Sequence, residues 1–199
     1  RMGRTGRRIS SVSIGGGLTL GGSGDEDTSR AIVREAREGG VNFIDLADVY
    51  SRGEAERVVG AAIADVDRSS LVLSTKVFGR MGDGPNERGL SRKHVLEACE
   101  ASLSRLGTDY VDLYFCHRSD PETPLEETVR AMDDLVHRGK VHYWGTSVWP
   151  PEMLDAAHDL CDRRGYYPPL VEPPEYRLLQ RGIESTPLRA SRSLMPFLA

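Results

Sequence analysis

The chain has 199 residues, of which 39% are hydrophobic and 28% are charged, the composition of a globular domain with a real core. Its 26 basic and 30 acidic residues give a net charge of −4, which argues against nucleic acid or an anionic membrane surface as a partner. No apolar run approaches the roughly 20 residues needed to cross a bilayer, so membrane insertion is not predicted.

The first part of the chain alternates short apolar runs with helical patterns. Residues 12–14 form an apolar run that leads into three glycines, and residues 27–39 have the pattern of a helix that ends in glycine. Residues 42–45 predict a short strand. Apolar residues then recur at helical spacing from Ala55 to Val66, which predicts a second helix.

Capping signals mark where several of these helices begin and end. Ser51 and Glu54 have the spacing of a capping box ahead of the second helix. Residues 71–77 have few polar interruptions and predict a strand that is covered on both faces. Ser91 is a predicted N-cap for a third helix, and Gly107 is its predicted end.

The second half repeats the same alternation. The predicted elements are a strand over 111–116, a helix that starts at the capping box 123–126 and stops at Gly139, a strand over 141–144, a helix over 152–163 and a strand over 170–172. Six strand–helix alternations with short links predict parallel strands with right-handed crossovers. A doubly wound sheet and an eight-fold barrel both fit this pattern.

Two features favour the barrel. The sequence contains no strand–GxGxxG–helix fingerprint, and polar residues stand repeatedly at the ends of predicted strands: Asp45, Lys76, His117 and Ser147. Barrel enzymes build their active sites at these positions. A complete barrel typically needs about 250 residues, so we expect a single barrel domain over 1–199 that stops after about six units. Strands seven and eight are not evident, the tail 184–199 is atypical, and the missing initial methionine suggests that residues precede Arg1.

Asp45, Tyr50, Lys76 and His117 together have the chemistry of a carbonyl-reducing site. Tyrosine can donate a proton to a carbonyl oxygen, but its ordinary pKa of about 10 calls for a nearby ammonium group. A carboxylate holds that ammonium in place, and a histidine orients the carbonyl oxygen. Each residue alone has an ordinary structural explanation, as a surface carboxylate, a packing tyrosine, a solvated lysine or a structural histidine. Their joint placement near the ends of successive strands favours catalysis.

Several long segments carry a resemblance to a known family. They are residues 42–60, 73–79, 88–118, 123–147 and 174–181, which contain NFIDLADVYSRGEAERVVG, LSTKVFG, RGLSRKHVLEACEASLSRLGTDYVDLYFCHR, TPLEETVRAMDDLVHRGKVHYWGTS and PEYRLLQR. In these segments the chain resembles the aldo-keto reductases, and it is most similar to the branch that contains the voltage-gated potassium channel β subunits. The resemblance implies a (β/α)8 TIM barrel and spans roughly residues 1–184.

The resemblance also implies the role of each site residue. Tyr50 would be the proton donor, Lys76 the residue that makes it a stronger acid, Asp45 the partner of Lys76, and His117 the residue that orients the substrate. Asp45 and Ser147 would contact the cofactor, which in this family is NADPH. The implied activity is the reduction of aldehydes or ketones, small carbonyl substrates, in a homo-oligomer. The segment 80–92 is expected to be a mobile loop over the substrate pocket.

Some positions depart from the family pattern. Val148 stands where asparagine or arginine is usual, and Pro173 stands where a glutamine binds the carboxamide of the cofactor. Proline offers neither a side-chain donor nor a backbone donor. Thr186, Pro187 and Leu188 faintly resemble a loop of the seventh unit. The alternative function is therefore a non-catalytic or regulatory subunit like the potassium channel β subunits, or a truncated, inactive reductase.

The cysteines bear on compartment and metal binding. Cys99, Cys116 and Cys161 are odd in number, scattered, and without the spacing of metal ligands. Disulfides are rare in reducing compartments, so the simplest interpretation is a cytoplasmic protein. No metal site is predicted.

Overall fold

The computed structural model describes residues 2, 5–17, 19–23, 26–173, 179, 181 and 195–196. Within this part of the chain, one sheet contains seven strands, and each neighbouring pair is parallel. The strands are β1 (Ile14–Gly15), β2 (Phe43–Asp45), β3 (Val72–Val77), β4 (Val111–Cys116), β5 (Val141–Thr146), β6 (Val171–Glu172) and β7 (Met195–Pro196). They lie in the sheet in chain order, without the reversal that defines a doubly wound sheet. The prediction of a barrel wall is confirmed.

Helices connect the successive strands from β1 to β6. They are α1 (Glu26–Glu38), α2 (Glu54–Ala62), α3 (Arg92–Leu106), α4 (Leu125–His137) and α5 (Pro151–Arg164), with short helical turns at Thr19–Ser23, Tyr50–Gly53 and Arg68–Ser70. Each helix packs against the next one along the chain. Because the crossovers repeat in the same direction, the helices form an outer layer around the arc of strands. Among the described residues, we find no helix with the length and apolar character that spanning a membrane requires.

The sheet buries apolar side chains on both faces. The larger cluster lies between the strands and the helices and includes Ile44, Leu73 and Trp144. A smaller cluster lies on the inner face, and its buried members are Met2, Phe43, Val72, Leu113, Phe115 and Val171. Side chains two residues apart in a strand share a face. Asp45 and Lys76 are therefore on the inner face with this smaller cluster, at the carboxyl ends of β2 and β3.

The predicted cap of α3 is confirmed. The Ser91 hydroxyl oxygen accepts the backbone N–H of His94 at 3.3 Å, and Gly107 follows the helix with a φ of 65°. This left-handed conformation is the one in which glycine has no Cβ penalty.

Both predicted capping boxes were wrong. Ser51 lies inside the turn that precedes α2, and its hydroxyl donates to the carbonyl oxygen of Leu20 at 3.5 Å. The Thr123 hydroxyl donates to Asp120 Oδ2 at 2.8 Å, and Pro124 is the residue that precedes α4. In each case a contact outside the helix takes the hydroxyl that the pattern had assigned to the cap.

Residues near both ends of the chain contact the sheet. No strand was predicted in the tail, whereas Met195 pairs in parallel with Val171 of β6. The Thr186–Leu188 match, and the 174–181 segment apart from Leu179 and Arg181, lie outside the described residues. Near the amino terminus, Met2 is buried on the inner face, and Arg7 forms an ion pair with Asp112 at 2.6 Å.

Candidate active site

Lys76 is the centre of the candidate site. It is the fifth residue of β3, it faces the inside of the arc, and it is 4% exposed. Its ammonium donates to Asp45 Oδ2 at 2.7 Å, to the carbonyl oxygen of Leu46 at 2.6 Å and to the hydroxyl of Tyr50 at 3.4 Å. A buried ammonium is tolerated only when it is paired and hydrogen-bonded, and these three acceptors meet that requirement.

Asp45 is held on both of its oxygens. Oδ2 accepts from Lys76, and Oδ1 accepts from the hydroxyl of Ser74 on the neighbouring strand. The parallel register pairs Asp45 with Ser74 directly across β2 and β3, which explains the second contact. The register of β2 and β3 therefore places the carboxylate that pairs with the ammonium.

Tyr50 is presented by a strained turn. It begins the helical turn after β2, and its N–H donates to the carbonyl oxygen of Ala47 at 3.1 Å. Three residues with positive φ follow: Ser51 at 48°, Arg52 at 54° and Gly53 at 86°. A left-handed backbone costs about 1–2 kcal/mol for each non-glycine residue, so packing must hold this turn in place. The result is a tyrosine hydroxyl directed at Lys76.

His117 lies beside Tyr50. Their ring centroids are 5.9 Å apart and the rings meet at 81°, edge to face. Burial is the main cause that lowers the pKa of His117 to about 4, and the positive charges of Lys76 and Arg118 act in the same direction. The imidazole is therefore neutral near pH 7, and its one N–H can donate a hydrogen bond to a carbonyl oxygen.

Ser147 follows β5 and lies next to the end of β4. Its N–H donates to the carbonyl oxygen of Cys116 at 3.0 Å. The guanidinium of Arg118 donates to the Ser147 hydroxyl oxygen at 3.3 Å and to the carbonyl oxygen of His117. A hydroxyl and a cation are thus placed side by side at this edge of the site.

Glu172 of β6 is hydrogen-bonded to the end of β5 and to the segment that follows it, a role that the sequence analysis did not predict. One carboxylate oxygen accepts the Thr146 hydroxyl at 2.6 Å, and the other accepts the N–H of Val148. Burial raises the pKa of Glu172, while these hydrogen bonds and the charge of Arg118 oppose that shift. Val148 is 62% exposed and has a φ of 56°, a conformation in which a β-branched residue is an outlier. The sequence signal for this role was an acidic residue in a predicted strand of otherwise apolar residues.

A second buried charge network lies behind the Tyr50 turn and was also missed. Glu56 is fully buried in α2, where it accepts the Thr75 hydroxyl at 2.5 Å and pairs with Arg105 of α3 at 2.6 Å. Asp48 is also fully buried, and its Oδ1 accepts the N–H of Val49 at 2.7 Å. A glutamate beside the apolar stripe of α2 was the sequence signal for this network.

Two cavities lie among the described residues, and Asp45 of the candidate site lines the first of them. One of about 340 Å³ lies on the inner face and is lined by Asp45, Phe115 and Pro173, among others. The other, of about 530 Å³, lies between the segment after β3 and the segment after β4, and Arg88 and Thr123 are among its lining residues. Much of the loop expected over the substrate pocket, residues 80–92, lines this second cavity. In the described ranges, no group of three acidic, histidine or cysteine residues is arranged to hold a metal ion.

Comparisons with known proteins identify a family for the chain. The model of the aldo/keto reductase family matches residues 12–192. A protein of Oryza sativa subsp. japonica named "Probable voltage-gated potassium channel subunit beta" is 45% identical over 182 residues, which is 90% of this chain and 55% of that protein. An Arabidopsis thaliana protein of the same name is 44% identical over 182 residues, with the same coverage of each chain. The chain spans about half the length of these curated relatives.

Proposed function

The chain belongs to the aldo/keto reductase family, and on that basis we propose that it reduces aldehydes or ketones to alcohols with Tyr50 as the proton donor. The observation that carries the proposal is the contact of the Lys76 ammonium with Asp45 Oδ2 at 2.7 Å and with the Tyr50 hydroxyl at 3.4 Å. When Tyr50 gives up its proton, the resulting phenolate is left beside a buried positive charge. This arrangement favours proton transfer to an oxygen that becomes negative during the reaction.

His117, whose ring lies edge to face against the ring of Tyr50, also supports the proposal. Because its imidazole is neutral near pH 7, it can donate a hydrogen bond to the carbonyl oxygen without placing another cation beside Lys76. The carbonyl oxygen would receive one hydrogen bond from His117 and the proton from Tyr50. In this assignment Asp45 does not touch the substrate and instead keeps Lys76 in position.

The described residues fit the nicotinamide end of NADPH, which would supply the hydride. The Ser147 hydroxyl, next to the guanidinium of Arg118, is a suitable partner for a carboxamide. Asp45 lies at the edge of the inner cavity of about 340 Å³, so it would be the second contact. Pro173 lines the same cavity and supplies no hydrogen-bond donor there. The carbonyl substrate would pass the loops after β3 and β4, which line the cavity of about 530 Å³.

A single substitution tests the proposal. Tyr50→Phe keeps the ring and removes only the hydroxyl, so turnover of an aldehyde with NADPH should fall by roughly 10²–10⁴-fold, the usual contribution of a general acid. Binding of NADPH, followed by its fluorescence, should be unchanged. Tyr167→Phe is the matched control because Tyr167 is 52% exposed and its ring lies against His137. Unchanged turnover in Tyr50→Phe would refute the assignment of the donor.

The names of the relatives favour a second candidate function, that of a non-catalytic or regulatory potassium channel β-like subunit. In that case Asp45, Tyr50, Lys76 and His117 would be retained for structure, and Pro173 would weaken the cofactor site. Titration of the chain with NADPH separates the two candidates. Saturable binding together with turnover that depends on Tyr50 excludes the non-catalytic subunit, whereas the absence of both supports it.

Two further expectations belong to this proposal. We infer a reducing, cytoplasmic compartment because Cys99, Cys116 and Cys161 are all buried and free of disulfides. We also infer a homo-oligomer by analogy with the family. Sedimentation of the purified chain measures its oligomeric state, and a monomer at micromolar concentration would contradict the inference.

A further inference from the structure

Five ionisable groups are packed together around the turn that carries Tyr50. Three are carboxyl groups, those of Asp45, Asp48 and Glu56, and two are cations, those of Lys76 and Arg105. Lys76 pairs with Asp45 at 2.7 Å, and Arg105 pairs with Glu56 at 2.6 Å. Each cation is therefore already used by another carboxylate, and Asp48 is the third, surplus acid.

The surroundings of Asp48 are unfavourable for a negative charge. The residue is 0% exposed, and among the described residues its Oδ2 has no hydrogen-bond partner. Its Oδ1 accepts only the N–H of Val49. A carboxylate oxygen that is buried without a donor loses its hydration without compensation, whereas a neutral carboxyl group loses far less.

Asp48 is also part of the turn that it would disturb. Its N–H donates to the carbonyl oxygen of Lys76 at 3.2 Å, which ties the start of the turn to β3. Two residues later the chain reaches Tyr50, whose N–H and that of Arg52 close the turn at 3.1 Å each. Left-handed Ser51 and Arg52 store strain in this turn, and opening the turn would release that strain.

We propose that Asp48 is a positioning residue that is protonated in the closed turn below neutral pH, and that its neutral carboxyl group keeps the Tyr50 turn closed over Lys76. Ionisation would add a third negative charge next to Glu56 in a space that excludes water. Opening the turn would bring water to Asp48 and would move Tyr50 away from Lys76. The consequence for carbonyl reduction rests on the proposed function, but the behaviour of the turn does not.

Asp48 differs in its pKa from the other titratable groups in the same space. Burial, followed by the charge of Glu56, raises the pKa of Asp48 to about 7, against the opposing effects of the Val49 N–H, Arg105 and Lys76. Tyr114 of β4 and Cys99 of α3 also face the cluster. Burial raises the pKa of Tyr114 well above its usual value and that of Cys99 to about 12, so both remain neutral near pH 7.

Hydrogen exchange of the turn tests the proposal in the wild-type chain. The closed turn retains the proton of Asp48 and the open turn releases it at an ordinary aspartate pKa of about 4. The amide protection factors of Tyr50 and Arg52 should therefore fall by about tenfold for each pH unit between pH 5 and 7 and then level off. In Asp48→Asn, whose side chain cannot ionise, protection should be constant over this range. Asp65→Asn, an exposed site with the same change, should behave as the wild type.

Infrared spectroscopy gives a second readout. The difference spectrum of the wild type minus Asp48→Asn should contain the carbonyl stretch of a protonated carboxyl group at pH 6, and this band should decline as the pH rises through 7. Constant protection in the wild type, or no such band at pH 6, would overturn the proposal. Neither measurement depends on turnover, so a chain that reduces no carbonyl compound would contradict the proposed function alone.

Discussion

Two regions at the carboxyl ends of the strands accommodate buried charge in different ways. In the lysine cluster, formed by Asp45, Tyr50, Lys76 and His117, a buried cation lies against a carboxylate and two neutral acceptors. In the β5–β6 rim, formed by Ser147, Val148, Glu172 and Pro173, a buried carboxyl group is held by a hydroxyl and a backbone N–H.

The difference shows what each region depends on. The cluster has a charge of each sign in contact, so its geometry is set by an ion pair that register places across β2 and β3. The rim has one acid with neutral donors, and it also keeps Val148 in a left-handed conformation. The rim should therefore depend on the ionisation of Glu172 and on the strain at Val148, while the ion pair of the cluster should depend on its cation.

The largest expected effect is in the cluster. Lys76→Met leaves Asp45 without its cation, and removal of one partner of a buried ion pair costs about 3–5 kcal/mol of unfolding free energy. Because the side chain of Asp45 is 31% exposed, we expect the lower end of this range. Urea denaturation measures the loss. Lys93→Met, at an exposed pair with Glu97, should change the free energy of unfolding by about 0.5 kcal/mol or less.

The second effect tests the acid of the rim. Glu172→Ala leaves the Val148 N–H and the Thr146 hydroxyl without their acceptor and should cost about 1–3 kcal/mol of unfolding free energy. Chemical denaturation at constant pH is the measurement. A loss equal to that of Lys76→Met would remove the distinction between the two regions.

The same residue gives the rim its pH dependence. The pKa of Glu172 is raised in the folded protein, so the stability it contributes is complete below its ordinary pKa of about 4.5 and is lost as the pH rises through the folded value. Glu172→Gln removes this dependence. Relative to the wild type, the variant should gain stability between pH 4 and pH 8, and a parallel pair of stability curves would contradict the expected sign.

A third, smaller effect tests the backbone strain at Val148 in the rim. Asparagine adopts the left-handed conformation more readily than valine, so Val148→Asn should raise the free energy of unfolding by about 1 kcal/mol. Val148 is 62% exposed, so little packing is lost. Val12→Asn is the matched control, because Val12 is 64% exposed and is not among the residues with positive φ. An equal gain in both variants would show that strain is not the cause.

The smallest expected effect is an absence of titration in the cluster. With a pKa of about 4, the ring of His117 should keep constant NMR shifts between pH 5.5 and 8. Unfolded histidine titrates near a pKa of about 6.5, so the stability associated with His117 is lost as the pH falls from there toward 4. A folded-state titration near pH 6.5 would mean that His117 is well hydrated.

The repeated strand–helix pattern and the strand-end residues were predictable because they depend on local periodicity. Asp45, Lys76 and His117 end three consecutive predicted strands, and parallel strands bring such ends together. The proximity of Asp45, Tyr50 and Lys76 follows from that rule once the strands lie in chain order.

The buried networks were not predictable from the same local signals. Glu56 depends on Arg105, which is 49 residues away in another helix. Ser51 has the spacing of a cap, but a carbonyl group 31 residues earlier takes its hydroxyl. The two-residue strand at Met195–Pro196 is too short to produce a periodic pattern. Each of these features is decided by tertiary contacts that no window of neighbouring residues contains.

Because Lys76 is buried, the rate of its chemical labelling reports how often the candidate site opens. The sequence contains three lysines, and their side chains are 5% exposed at position 76, 56% at position 93 and 34% at position 140. An amine-reactive reagent should label Lys93 and Lys140 rapidly, whereas labelling of Lys76 must wait until the site opens. Mass spectrometry of the labelled peptides would therefore time the opening of this one site within a folded population.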